Sequence, residues 1–219
     1  LPMADELLAA AGLAVTELDA IAFGRGPGGF TGLRIAAGVA QGLAAGIEKP
    51  VLPVSNLAAV AAAGARSSGI GKVLACMDAR MGQVYWAAFD CSDGAPVALT
   101  DERLSDPEGV TLPAEGHWFG AGRGFGAYPS LASRLQVHLA GIEADLLPRA
   151  ADIARIAALD FRAGGGVAAS RALPDGEAAF IAGWPATLRL PVTALGDTLF
   201  CHATPKRAVA LFTRLTAEE

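Results

Sequence analysis

The apolar positions of the chain fall into two patterns, and each predicts its own elements. Met3, Ala4, Leu7 and Leu8 make one stripe at helical spacing, with Asp5 and Glu6 in the first turn, where carboxylates suit the helix dipole. Pro2 fits a first helical position and Gly12 follows the last turn, so a helix is expected over Pro2–Ala11. Ala20 to Phe23 is a short apolar run that reads as a buried strand. After the loop from Gly24 to Thr31, Leu33, Ala36, Ala37, Ala40, Leu43 and Ala44 return to helical spacing, predicting a helix over Gly32–Gly46 with Thr31 as its N-cap.

Further along, Pro50 to Val54 reads as a second strand, and Ser55 opens an alanine-rich helix from Asn56 to Ala65. Lys72–Asp78 and Gln83–Phe89 are strand-like runs joined by the turn Ala79–Gly82, which predicts a hairpin. Cys91 to Gly116 is polar and irregular, with one strand expected around Val97 to Leu104. His117 to Gly120 is a further short strand, and Ala150 to Ala163 a helix with Ile153, Ile156, Ala157 and Leu159 inward, ended by Gly164-Gly-Gly166. Helices alternating with strands, then a hairpin, predict an α/β fold with a mixed sheet.

Composition narrows this picture. The chain has 219 residues, 53% of them hydrophobic and 18% charged, which is too apolar for a disordered chain and enough for a packed core. Seventeen basic against twenty-two acidic residues give a net charge of −5, which argues against a broad basic face for nucleic acid. Leu57 to Ala65, as long as any run of apolar residues and glycine in the chain, is far short of the ~20 residues that span a bilayer. Asp5 and Glu6 stand where a signal peptide would carry positive charge, so no export and a cytoplasmic location are expected. Cys76, Cys91 and Cys201 are widely spaced, with no C-x-x-C pair, and point to a reduced compartment rather than a disulfide framework.

Three loops are candidates for chemistry. Gly24-Arg-Gly-Pro-Gly-Gly-Phe-Thr31 lies between a strand and a helix, where consecutive amides can hold an anion. It lacks the Lys-Ser/Thr ending of a phosphate-binding P-loop, and Pro27 removes an amide, so a structural tight turn and a phosphate contact both stand as readings. Asp78-Ala-Arg-Met-Gly-Gln83 reads either as a turn held by a local ion pair or as a polar contact surface. Gly120-Ala-Gly-Arg-Gly-Phe-Gly126 also resembles a phosphate-binding turn, and as a lone motif it carries no more weight than the first loop. His117, His138 and His202 lack the spacing of metal ligands, and no nucleophile motif occurs, so no catalytic and no metal residue is assigned. Gly38, Gly42 and Gly46 fall every fourth residue in the second helix. Each costs about 1 kcal/mol relative to alanine, so close packing is expected there, on the chain's own sheet or on a partner helix.

Phe23-Gly-Arg-Gly-Pro-Gly-Gly-Phe-Thr-Gly-Leu-Arg34, with the small-residue helix through Gln41-Gly-Leu-Ala44, closely resembles the TsaB (YeaZ) family. Leu1-Pro-Met-Ala-Asp-Glu-Leu-Leu8, Pro53-Val-Ser-Asn-Leu57, Met77-Asp-Ala-Arg-Met-Gly-Gln-Val-Tyr85, Pro148-Arg-Ala-Ala-Asp-Ile-Ala154 and Gly164 through Pro174 follow in family order. The resemblance implies an actin-like ASKHA (ribonuclease H-like) fold for residues 1–174. It implies a non-catalytic subunit of the bacterial complex that makes N6-threonylcarbamoyladenosine in tRNA, with a TsaD-type catalytic subunit and a TsaE-type ATPase as partners. Alone, such a chain forms a homodimer through the same two helices, and it meets tRNA only through the complex. Carried onto this chain, the partner interface falls on Met3, Leu7, Leu8, Leu33, Arg34, Gly38, Gln41 and Gly42. No intrinsic cofactor is implied; ATP or ADP belongs at the partner interface, near Gly26, Gly28, Gly29 and Thr31.

Two departures from the family pattern are expected. The family usually starts with a few dozen more residues, holding strands that are missing here. Residues 175–219 form an atypical extension: Phe180 to Arg189, then Thr198-Leu-Phe-Cys-His-Ala-Thr-Pro205, resembles a metallophosphoesterase piece in which His202 matches a metal ligand. The other ligand motifs of that family are absent from the sequence, so a phosphoesterase site is not assigned. The alternatives to the scaffold reading are a glycoprotease-like or metal-dependent hydrolase, and a non-functional chimeric fragment.

Overall fold

The computed structural model describes residues 2–174, and they form two compact units. The extension and His202 therefore lie outside the described residues.

The first unit holds residues 2–23, 30–53 and 160–174. Helix α1 (Pro2–Ala11) has the predicted bounds and buries none of its residues. Strand β1 (Ile21–Gly26) pairs with β2 (Val51–Ser55) in a two-stranded sheet. Helix α2 (Phe30–Gly46) starts two residues earlier than the pattern predicts, so Thr31 lies in its first turn and is not the N-cap. Ala37, Ala40 and Ala44 of α2 pack with Phe23, Val51 and Ala172. Val51 and Val167 exchange both backbone hydrogen bonds, at 2.8 and 2.9 Å, which ties the segment after residue 160 to β2.

The second unit holds residues 24–29 and 54–159. Ser55 caps helix α3 (Asn56–Ser68) by accepting from the Ala58 amide at 3.0 Å, as its sequence position predicts. Strands β3 (Lys72–Arg80) and β4 (Gln83–Asp90) form the expected antiparallel hairpin. The region expected to hold one strand holds two short ones, β5 (Val97–Ala98) and β6 (Arg103–Ser105), both on the outer side of β4. Strand β7 (Trp118–Ala121) pairs parallel with β3, and β8 (Leu139–Glu143) parallel with β7, giving the order β5-β4-β3-β7-β8. Helices α4 (Arg123–Ala127), α5 (Pro129–Leu135) and α6 (Ala150–Arg162) complete the unit, the last residues of α6 falling in the first unit.

Strand alternation divides the core into two layers. Leu74, Cys76, Val84, Trp86 and Ala88 pack with Trp118, Phe125 and Leu131 on one face. Val73, Ala75, Ala87 and Phe89 meet Leu57, Val60 and Ala61 of α3 on the other. The two indoles among the described residues find acceptors: Trp86 Nε1 donates to Ser105 Oγ and Trp118 Nε1 to the Ala114 carbonyl, each at 3.0 Å. In α6, Ile153 and Ala157 are buried as expected, but Leu159 is exposed, because a helix on one sheet face buries only a stripe. The position missed is Asp152, which is 1% exposed.

Candidate functional site

The first glycine-rich segment is half strand. Gly24, Arg25 and Gly26 continue β1, and only 27–29 form a loop before α2. The segment is held on the second unit by Asn56, whose Nδ2 donates to the Pro27 carbonyl at 3.0 Å. A Cβ on Gly24 would collide with the Asn56 side-chain oxygen, so glycine is needed there for contact with that amide. Gly26 has φ 129°, a conformation side chains rarely adopt. Arg25 pairs with Glu102 at 3.2 Å, with both side chains largely covered. Gly26 is buried, Gly28 half-buried, and Gly29 and Thr31 are exposed. Gly29 and Gly32 have nothing within 4 Å of an added Cβ, so open space surrounds the start of α2.

The residues assigned to a partner interface all lie in the first unit. Met3 is 75% and Leu7 67% exposed, with Leu8 and Leu33 half-buried. Ile35, on the same helix as Leu33 but missed in the sequence, is 50% exposed. Phe30 is also exposed, and the Arg34 guanidinium lies over its ring, 3.0 Å from the centroid. Gly38 is buried, and Gln41 turns inward, its Nε2 donating to the Ala172 carbonyl at 2.9 Å. Gly42 is half-buried, while an added Cβ at Gly46 would meet nothing within 4 Å. The glycine stripe thus runs from a packed end to an open end.

The other two loops resolve into structural roles. Asp78 Oδ1 accepts from the Arg80 amide at 2.9 Å and from the Tyr128 hydroxyl at 3.1 Å, so the carboxylate braces the hairpin end. Desolvation and the Asp78 carboxylate raise the Tyr128 pKa. The second glycine-rich loop is corrected from a phosphate-binding turn to a packing device. The Gly122 amide donates to the Glu143 carbonyl at 2.9 Å, and an added Cβ at Gly122 or Gly124 would run into Cys76. Helix α4 after it has only 5 residues.

Burial pushes the Cys76 thiol up to about 12 and the Cys91 thiol up to about 11, so both stay protonated and unreactive at neutral pH. His138 is exposed in the turn before β8. Among the described residues, no three His, Cys, Asp or Glu side chains are placed to share a metal ion. No helix among them is long and apolar enough to cross a membrane.

Comparison with known proteins places this arrangement among relatives. Residues 1–193 match the family model described as TsaD, tRNA N6-adenosine threonylcarbamoyltransferase, a match that runs past residue 174. The chain is 40% identical over 178 residues to the tRNA threonylcarbamoyladenosine biosynthesis protein TsaB of Escherichia coli, covering 80% of this chain and 77% of that one. It is 54% identical over 87 residues to the TsaB protein of Haemophilus influenzae, covering 40% of this chain and 37% of that one. The solved structure of YeaZ from Pseudomonas aeruginosa superposes with a TM-score of 0.71 at 42% identity, covering 79% of this chain and 80% of that one.

Proposed function

Because the chain belongs to the TsaB (YeaZ) family of tRNA threonylcarbamoyladenosine biosynthesis proteins, we propose that it is the non-catalytic scaffold subunit of that pathway's transferase complex. Its fold is the mixed α/β, ASKHA-type fold of its YeaZ neighbour. In this reading it binds and activates a TsaD-type catalytic subunit in the cytoplasm, works beside a TsaE-type ATPase, and pairs with itself when alone. ATP or ADP joins the complex at the partner interface.

The observation that carries the reading is the exposure of Met3 and Leu7 on a helix with no buried residue. An amphipathic helix is stable in water chiefly through the burial of its apolar stripe. A 10-residue helix with none buried is therefore one whose apolar side is covered by something else. Leu33, Ile35 and Phe30 extend the same apolar character onto α2. Burial of about 25 cal/mol per Å² of apolar surface is then the driving force for assembly.

The reconstituted reaction tests the proposal. Adding this chain to a TsaD-type subunit, the ATPase and tRNA should raise formation of the modified adenosine, and the Leu7→Asp variant should not. A complex that is equally active without the chain contradicts the role.

A further inference from the structure

On the sheet face away from Trp86, a cleft of about 530 Å³ opens between the end of α3 and the start of α6. At its base is Asp152, whose Oδ1 accepts from Arg66 Nη2 at 2.6 Å and from Arg155 Nη1 at 3.0 Å. A buried carboxylate needs compensation, and one guanidinium supplies the opposite charge. Here two converge on a single oxygen. Among the described residues, the charged ones lining the cleft are these three, which together carry one positive charge in excess. The two arginine side chains are 51% and 63% exposed. Arg66 Nη1 also donates to the Ala62 carbonyl at 3.4 Å, and of the five N–H donors on each guanidinium most remain toward the cleft and solvent. Ile70, Ile156 and Leu159 line the same cleft and give it an apolar side.

The geometry points to a binding site for a small organic anion, a phosphate or carboxylate on an apolar body. The anionic head takes the remaining N–H donors of Arg66 and Arg155, and the apolar body lies along Ile70, Ile156 and Leu159. Asp152 is a positioning residue: it aims both guanidiniums and takes no part in contact with the ligand. The assignment is independent of the scaffold role, since every residue in it belongs to the second unit and none to the α1 face.

Amide chemical shifts of the 15N-labelled full chain test this, with phenyl phosphate, benzoate and inorganic phosphate as probes. Phenyl phosphate or benzoate should give saturable shifts at Gly69 and Gly71, with a Kd at least roughly threefold below that of inorganic phosphate. Arg155→Gln, which leaves the Arg66–Asp152 pair in place, should weaken binding roughly tenfold. The inference is overturned by the absence of saturable shifts, by inorganic phosphate binding as tightly as the aromatic probes, or by unchanged affinity in Arg155→Gln.

Discussion

The carboxamide of Asn56 joins two ends of one segment: its Nδ2 donates to the Pro27 carbonyl at 3.0 Å, and its Oδ1 fills the space a Cβ on Gly24 would need. The glycine-rich loop is thus seated on the first turn of α3 by one buried side chain, 9% exposed. Asn56→Ala removes the donor and leaves the carbonyl buried without its partner. We expect a loss of about 1–3 kcal/mol, read as a lower urea midpoint at unchanged m-value.

Glycines separate into those that touch and those that do not. A Cβ on Gly64 would lie 2.7 Å from the Ala121 Cβ, so α3 lies tight on β7 there. Gly64→Val should cost about 1–3 kcal/mol through overpacking. Gly46→Ala meets open space and should change stability by no more than about 1 kcal/mol, in the stabilising direction. Thermal melts of the two variants, run side by side, check the contrast.

The raised thiol pKa values have a sign for stability. Cys76 and Cys91 hold their protons to about 12 and about 11 in the folded chain, against 9.0 for a solvated cysteine thiol. Between pH 9 and 11 the unfolded chain binds fewer protons at these sites, so stability is full below pH 9 and falls as pH rises. In a Cys201→Ser background, Ellman's reagent at pH 8 should leave both thiols unmodified until denaturant is added. Rapid native labelling of either would contradict the burial.

Assembly and stability should part company on α1. Met3 and Leu7 are exposed, so Leu7→Asp should shift the melting of a dilute monomeric chain by the equivalent of only about 0.5 kcal/mol. The same change should weaken partner binding by at least roughly tenfold, because it puts a charge into an apolar contact. Gly42→Leu, at a half-buried glycine, should also weaken assembly by holding two helices apart. Titration calorimetry against the TsaD-type subunit separates the two effects.

Much of the fold was legible because apolar runs mark buried strands and helical spacing marks helices. The strand runs at 73–76 and 84–89, the Ser55 cap and the bounds of α1 all came from side chains that declare their environment. The end of β1 did not, because Gly24-Arg-Gly26 carries no apolar pattern and its strand geometry comes from pairing. Thr31 resembled a cap, but the helix begins at Phe30. Asp152 was invisible for a different reason: its partner Arg66 is 86 positions away, and a buried carboxylate in sequence looks like any solvated one. The second glycine-rich loop looked like an anion site because glycines required by contact with Cys76 are spelled the same way as glycines required by phosphate.

The central claim is that the apolar surface of α1 and α2 is a partner-binding face. Size-exclusion chromatography with multi-angle light scattering, on the chain alone and mixed with a TsaD-type subunit, tests it most directly. The account predicts a dimeric mass for the chain alone and a one-to-one complex on mixing, with Leu7→Asp eluting as a monomer that ignores the partner. A wild-type chain that stays monomeric and elutes apart from the partner would contradict it.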